Sequence, residues 1–125
     1  MGASAEAAPA ERFLVTRQAT LLRIFIGEMD RHGEHPLYEA IVLKAREEHL
    51  AGATVLRGPI GFGHSSRLHT AKILRLSEDL PIVIEIVDTP EKIEGFLPTL
   101  SNMMTGGLVT LEQVQIRQTG LRPPK

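Results

Sequence analysis

The sequence has no cysteine. That excludes disulfide bonds and thiol chemistry, and it fits a reducing compartment. A basic excess is also missing: 14 basic and 15 acidic side chains give a formal net charge of −1. Proteins that neutralise phosphates along a nucleic acid carry a clear surplus of Lys and Arg, so no nucleic-acid partner is expected. No apolar run approaches the roughly 20 residues that span a bilayer. The opening "MGASAEAAPAER" has neither the apolar core nor the charge order of a secretory signal. The expectation is a soluble cytoplasmic protein with a flexible tail over residues 1–19, one domain over 20–120 and a short tail over 121–125. A chain of 125 residues is long enough for a domain that buries about two-thirds of its unfolded surface.

Periodicity divides that domain into elements. "LLRIFIG" (21–27) alternates Leu22, Ile24 and Ile26 with Leu21, Arg23 and Phe25, which predicts a strand with one buried face. The polar "EMDRHGEH" reads as a loop. Pro36 suits a first helical turn, and Leu37, Tyr38, Ile41, Val42 and Ala45 follow at helical spacing, with Gly52 as the expected C-cap. His49 continues the apolar side of that helix, so a partly buried, hydrogen-bonded imidazole is expected. "ATVLRG" (53–58) is a second strand, and "AKILRLSEDL" can supply a further short one. "PIVIEIVD" (81–88) is β-branched nearly throughout, as in a central strand.

A second helix follows, with Thr89 as N-cap, Pro90 in its first turn, and Glu91 and Glu94 complementing the helix dipole. Its stripe is Ile93, Phe96, Leu97, Leu100, Met103 and Met104. Pro98 predicts a kink within it, and Gly106 and Gly107 its end. In the last strand, "LVTLEQVQIR", the apolar phase slips between Leu111 and Val114, which predicts a bulge. The order strand, helix, strand, strand, helix, strand predicts an α+β, ferredoxin-like βαββαβ domain with an antiparallel sheet and both helices on one face.

One stretch stands apart chemically. From His49 to Ser77 there is no Asp or Glu, yet Arg57, Arg67, Lys72, Arg75, His64 and His69 all fall there. At its centre "GPIGFGHSSRLHT" places Gly58, Gly61 and Gly63 around two apolar residues. Glycines let backbone N–H groups approach an anion, and Arg and Lys add charge-assisted bonds, so a small anionic ligand is one reading. The other is a hairpin tip whose glycines only make the turn.

"GATVLRGPIGFG", "LPIVIEIVD", "MTGG" and "IRQTG" occur in the same order as in the PII signal-transduction superfamily, which this chain resembles over residues 20 to 120. Within the superfamily it is most similar to a PII-like family often encoded beside fluoride-exporting channels. The resemblance implies a homotrimeric regulator, not a catalyst. It would bind an adenine nucleotide between subunits and signal to a protein partner, such as a membrane channel or transporter, through the loop after the second strand. By position, it implies that Thr54 meets the base, and that Gly61, Gly63 and His64 lie at the loop base near the phosphates. Gly106 and Gly107 would approach from the neighbouring side, and Arg117 would reach a phosphate oxygen. Ser65, Ser66, Arg67, His69 and Lys72 would form the signalling loop.

The chain departs from the pattern in three places: "LVTLEQ" follows "TGG" at once, "PIV" replaces an expected lysine, and the signalling loop is short and lacks the modified tyrosine. A monophosphate, a cyclic nucleotide or another anion asks less of such a site than a triphosphate. Two alternatives stand beside this reading. One is a ligand-independent trimeric module acting on a membrane channel. The other is a divalent-metal protein using His64 and His69, with His32 and His35 as further imidazoles but no i, i+4 pair and no cysteine. Ser65 and Ser66 beside His64 have no acid nearby in sequence, so no catalytic residue is assigned. Glu85 is expected to pair with a base across the sheet, Arg57 to meet either an anion or a carboxylate, and Met103 and Met104 to fill core or interface gaps.

Overall fold

Leu22, Ile24 and Ile26 alternate along one strand and Ile82, Ile84 and Ile86 along another, and all six are buried on the same side of one sheet. The structure, a computed structural model, describes residues 13–62, 69–70 and 79–119. Its elements are β1 (Phe13–Gly27), β2 (Arg31–His32), β3 (His35–Pro36), α1 (Leu37–Glu47), β4 (Thr54–Arg57), β5 (Ile60–Gly61), β6 (His69–Thr70), β7 (Pro81–Asp88), α2 (Pro90–Met103) and β8 (Leu108–Thr119). The main sheet has the order β4-β7-β1-β8 and is antiparallel throughout. β2 with β3 and β5 with β6 form two small ladders. This is the expected α+β, ferredoxin-like plan, in which the β1–α1–β4 connection leaves room for β7 between its strands.

Both helices are amphipathic and lie on one face of the sheet. α1 contributes Leu37, Ile41 and Ala45 at four-residue spacing, and α2 contributes Ile93, Phe96, Leu100 and Met103. Burying each large side chain stabilises the fold by about 1.5–3 kcal/mol before the entropy cost is subtracted. Thr89 caps α2 as expected, its Oγ1 accepting the Lys92 N–H at 3.2 Å, with Pro90 next in line. Pro98 lies on the exposed side of α2 and the helix runs through it to Met103. The carbonyl four residues earlier, which loses its partner to the proline, belongs to exposed Glu94 and can be hydrated.

Several expectations are corrected. β1 begins at Phe13, so residues 13–19, expected in a tail, are strand. They pair with β8 alone, from Phe13↔Thr119 to Ala19↔Val114, because β7 pairs only from Thr20 onward. β8 has no bulge between Leu111 and Val114: its pairing runs unbroken through Leu22↔Leu111 and Ala19↔Val114, and the irregularity sits at Phe13/Val15. The phase slip has another cause, since β8 is an edge strand with little helix above it and Leu111 stays 47% exposed. The "EMDRHGEH" segment contains the β2–β3 hairpin, turned by Gly33 at φ 64°.

α1 stops at Glu47, well before Gly52, and His49 makes the turn with φ 64°. His49 is exposed, and its carbonyl, not its ring, is held by the Lys92 ammonium at 2.6 Å. α2 likewise ends before Gly106 and Gly107, with Met104 as C-cap. Residues 71–78, where a further short strand was expected, lie outside the described residues.

Candidate functional site

The last pair of the β1–β7 ladder is Gly27↔Pro81. At that end of the sheet three connections converge, and they enclose a cleft of about 650 Å³. One side is formed by Phe25, Ile26, Gly27 and Asp30, a second by Asp79, Pro81 and Ile82, and a third by Thr105, Gly106, Gly107 and Leu108, with Gly61 and Phe62 closing it. Backbone bonds lock the connections together: Glu28 N–H donates to the Leu80 carbonyl and Gly58 N–H to the Pro81 carbonyl, both at 2.8 Å. The volume is within the ordinary range for a small-molecule site.

Three of these glycines are closely packed, and a Cβ on Gly27 would stand 2.8 Å from Asp79 Oδ1. A Cβ on Gly61 would stand 2.9 Å from the Pro81 ring, and one on Gly107, at φ +101°, would stand 2.7 Å from the Phe25 carbonyl oxygen. Gly106 has open space where a side chain would be. It is therefore the glycine in this cleft whose identity packing does not explain, and backbone access for a ligand is an available reason.

The structure brings Gly61, Gly106 and Gly107 to one cleft and leaves Thr54 and Arg117 out of it. Thr54 sits on the helix-free face of the sheet, in a row with Glu85, Arg23 and Thr110. Arg117 pairs with Thr16 near the far end of β1, nine positions along β8 from Leu108. At a rise of about 3.4 Å per residue this is about 30 Å, too far for the side chain to reach back to its own cleft. His69 lies in β6 opposite Gly61. Gly63, His64, Ser65, Ser66, Arg67 and Lys72 lie outside the described residues.

The charges near the cleft differ from those the acid-free stretch suggests. Asp30 Oδ2 accepts the Gly27 N–H at 3.0 Å, and Asp79 Oδ1 accepts the Met29 N–H at 2.7 Å. Arg57, left open between an anion and a carboxylate, pairs with Glu28 at 3.0 Å. Glu85 meets a base as expected: Arg23 contacts it at 2.9 Å, and Glu112 at 3.2 Å, on the helix-free face. The Arg23 guanidinium is held above the ordinary arginine pKa, first by the hydrogen bond to Glu85. Partial burial opposes the shift, and the charges of Glu85 and Glu112 add to it. Next to this polar row runs an apolar one, Leu56–Val83–Phe25–Leu108, with Leu56 48% and Leu108 58% exposed. Met103 is buried core and Met104 half-buried beside it. Among the described residues no group of three or more His, Asp or Glu side chains could hold a metal ion. No helix among them is long and apolar enough to cross a membrane.

The cleft and the strand order frame a comparison with known proteins. Residues 19–116 match the model of the DUF190 family, described as uncharacterized ACR. The chain belongs to the DUF190 family. A UPF0166 protein of Aquifex aeolicus (strain VF5) is 38% identical over 96 residues, covering 77% of this chain and 90% of that protein. The fold of this DUF190 chain is shared with a PII-like signaling protein of Thermus thermophilus, with TM-score 0.60, 16% identity, and coverage of 83% of this chain and 94% of that one. It is shared also with CPII, a nitrogen regulatory PII-like protein of Thiomonas intermedia solved with ADP, AMP and bicarbonate. The TM-score is 0.57 and the identity 20%, with 84% of this chain and 93% of that chain covered. These structures place the DUF190 chain in the PII-like fold.

Sequence reasoning missed Asp30, Asp79, Phe62 and Pro81 as cleft residues. A signal was present for the two carboxylates. Antiparallel neighbours bring the exit of one strand beside the entry of the next, so polar residues just after β1 and just before β7 must share an end of the sheet.

Proposed function

We propose that this protein is a PII-like regulator. It binds a small anionic ligand, an adenine nucleotide, in the cleft of Gly61, Gly106 and Gly107, and passes the bound state to a protein partner. The convergence of Gly61, at the end of β5, and the Gly106–Gly107 turn on one cleft at the end of the sheet carries this reading. Their backbone N–H groups are neutral donors of the kind that meet phosphate or carboxylate oxygens. The nucleotides bound to CPII on the same fold support it by analogy.

The working form in this reading is a cytoplasmic homotrimer. The apolar row Leu56–Val83–Phe25–Leu108 has no helix above it, and an exposed patch of that kind favours a protein contact. Arg117, about 30 Å from its own cleft by strand rise, can serve a cleft only in a neighbouring copy. The bound state would then be passed on to a membrane channel or transporter through the segment that holds Gly63, His64, Ser65, Ser66, Arg67, His69 and Lys72. That requires the ligand to favour one state of the segment over the other.

The test combines light scattering with a thermal-shift panel of adenine nucleotides, cyclic nucleotides, bicarbonate, fluoride and divalent metals. A nucleotide at about 100 times its dissociation constant adds about 2.7 kcal/mol to the native state, a shift of several degrees. The expected result is a trimer whose nucleotide response is lost in Arg117→Ala. A monomer overturns the reading outright, and a flat panel on a folded trimer overturns it in favour of the ligand-independent trimeric module.

A further inference from the structure

Just past the end of β1 the backbone turns back on itself at Asp30. The Asp30 N–H donates to the Gly27 carbonyl at 3.2 Å, and its side-chain Oδ2 accepts the Gly27 N–H at 3.0 Å. The Asp30 carbonyl accepts the N–H of Leu37 at 2.7 Å, at the start of α1, where no side chain caps the helix. Three bonds therefore fix this residue, and its side chain has little freedom left to lose when a ligand arrives.

The turn uses only part of what that side chain offers. A carboxylate accepts through two oxygens, and the Gly27 N–H occupies one of them. Asparagine makes the same kind of side-chain turn, so the turn alone does not call for aspartate. Asp30 also lines the cleft, and among the described residues no group donates to its Oδ1. Whatever meets that oxygen must bring a donor. Phosphate oxygens are acceptors, and they suit the N–H groups of the Gly106–Gly107 turn on another side of the cleft. An aromatic base suits the apolar surface of Phe25, Phe62 and Leu108. Between base and phosphate a nucleotide carries its ribose, whose hydroxyls are uncharged donors. In the dinucleotide sites of another fold, a carboxylate takes a ribose hydroxyl in the same way.

We propose that Asp30 recognises the sugar of the nucleotide in this cleft, its Oδ1 accepting a ribose hydroxyl. The inference rests on the nucleotide reading above and adds to it the residue that reads the ribose. A hydroxyl bonded to a charged acceptor is worth about tenfold or more in affinity, and one bonded to a neutral partner about threefold.

Titration calorimetry on the full chain tests this. AMP, ADP and ATP are titrated first, and the tightest of them is then compared with its 2′-deoxy and 3′-deoxy analogues. The members of such a set carry the same charge, so the ratio of their affinities reports the hydroxyl and not the electrostatics of the phosphates. The unaltered protein is expected to bind at least one deoxy analogue about tenfold more weakly than the parent nucleotide. Asp30→Asn keeps an oxygen for the Gly27 N–H and should cut that ratio to about threefold. Asp30→Ala, checked for folding by circular dichroism, should bring it close to one. If both deoxy analogues bind the unaltered protein as tightly as the parent, the assignment is overturned. It is overturned also if the ratio persists unchanged in the folded variants, since another group then meets the hydroxyl. If AMP, ADP and ATP all fail to bind, the nucleotide reading itself falls, a result distinct from binding without regard to the sugar.

Discussion

Replacing Gly107 by alanine separates the glycine that the fold requires from the one beside it. Gly107 has φ +101°, and a Cβ there would lie 2.7 Å from the Phe25 carbonyl oxygen, 2.9 Å from Met104 Cε and 3.1 Å from Ile26 Cγ2. The Met104 methyl can swing aside. The Phe25 carbonyl cannot, because it is part of the central strand β1. Left-handed backbone costs a non-glycine residue about 1–2 kcal/mol, and a forced shift of packed backbone costs about as much again, so the expected loss is about 2–4 kcal/mol. For a domain of this size that corresponds to a melting temperature lower by about 8–16 °C. Gly106→Ala is the control: its Cβ meets nothing within 4 Å and its φ is not left-handed, so its stability should change by less than about 0.5 kcal/mol. Urea denaturation followed by circular dichroism, at one protein concentration because assembly adds to stability, measures both. If the two variants unfold together, or Gly107→Ala loses less than about 1 kcal/mol, the steric argument for this turn is wrong.

Three other substitutions test separate parts of the structure. Asp88 is 6% exposed, and its two oxygens accept the N–H groups of Ala51 at 2.9 Å and Thr89 at 2.7 Å. Asp88→Ala should therefore cost about 2–3 kcal/mol in equilibrium unfolding, and Asp88→Asn less, because the amide oxygen still accepts one bond. Phe96 is 1% exposed where α2 meets the sheet, so Phe96→Ala should cost about 3–5 kcal/mol by calorimetry, a large share of the stability of one domain. The Arg57–Glu28 pair has side chains 57% and 21% exposed, so Arg57→Ala should change stability by less than about 1 kcal/mol in urea titration. A larger loss would mean that this contact holds the connections around the cleft together.

Local spacing alone was enough for the secondary plan and the core. The alternation of Leu22, Ile24 and Ile26 and of Ile82, Ile84 and Ile86, and the helical spacing of Leu37, Ile41 and Ala45, became buried faces as expected. Thr89, which can both cap and precede a proline, marked the start of α2 to the residue. The element order then led to a ferredoxin-like sheet, since few antiparallel arrangements join those elements by short right-handed crossings. Charge and glycine placement, by contrast, drew attention to the acid-free stretch without saying what would face it.

Other features depended on which strands lie side by side. Residues 13–19 lack a clean alternation and become strand because β8 pairs with them. The slip in the apolar phase of β8 records missing helix cover, not a bulge. Asp30 and Asp79 are distant in sequence, and the Gly27↔Pro81 register brings them to one cleft. Pairing sends Arg117 the other way, to the far end of the same sheet. Periodicity is a property of neighbouring residues, and so it can be read along a chain. A site at the end of a sheet is a property of strand order and register, which exist only once the strands have paired.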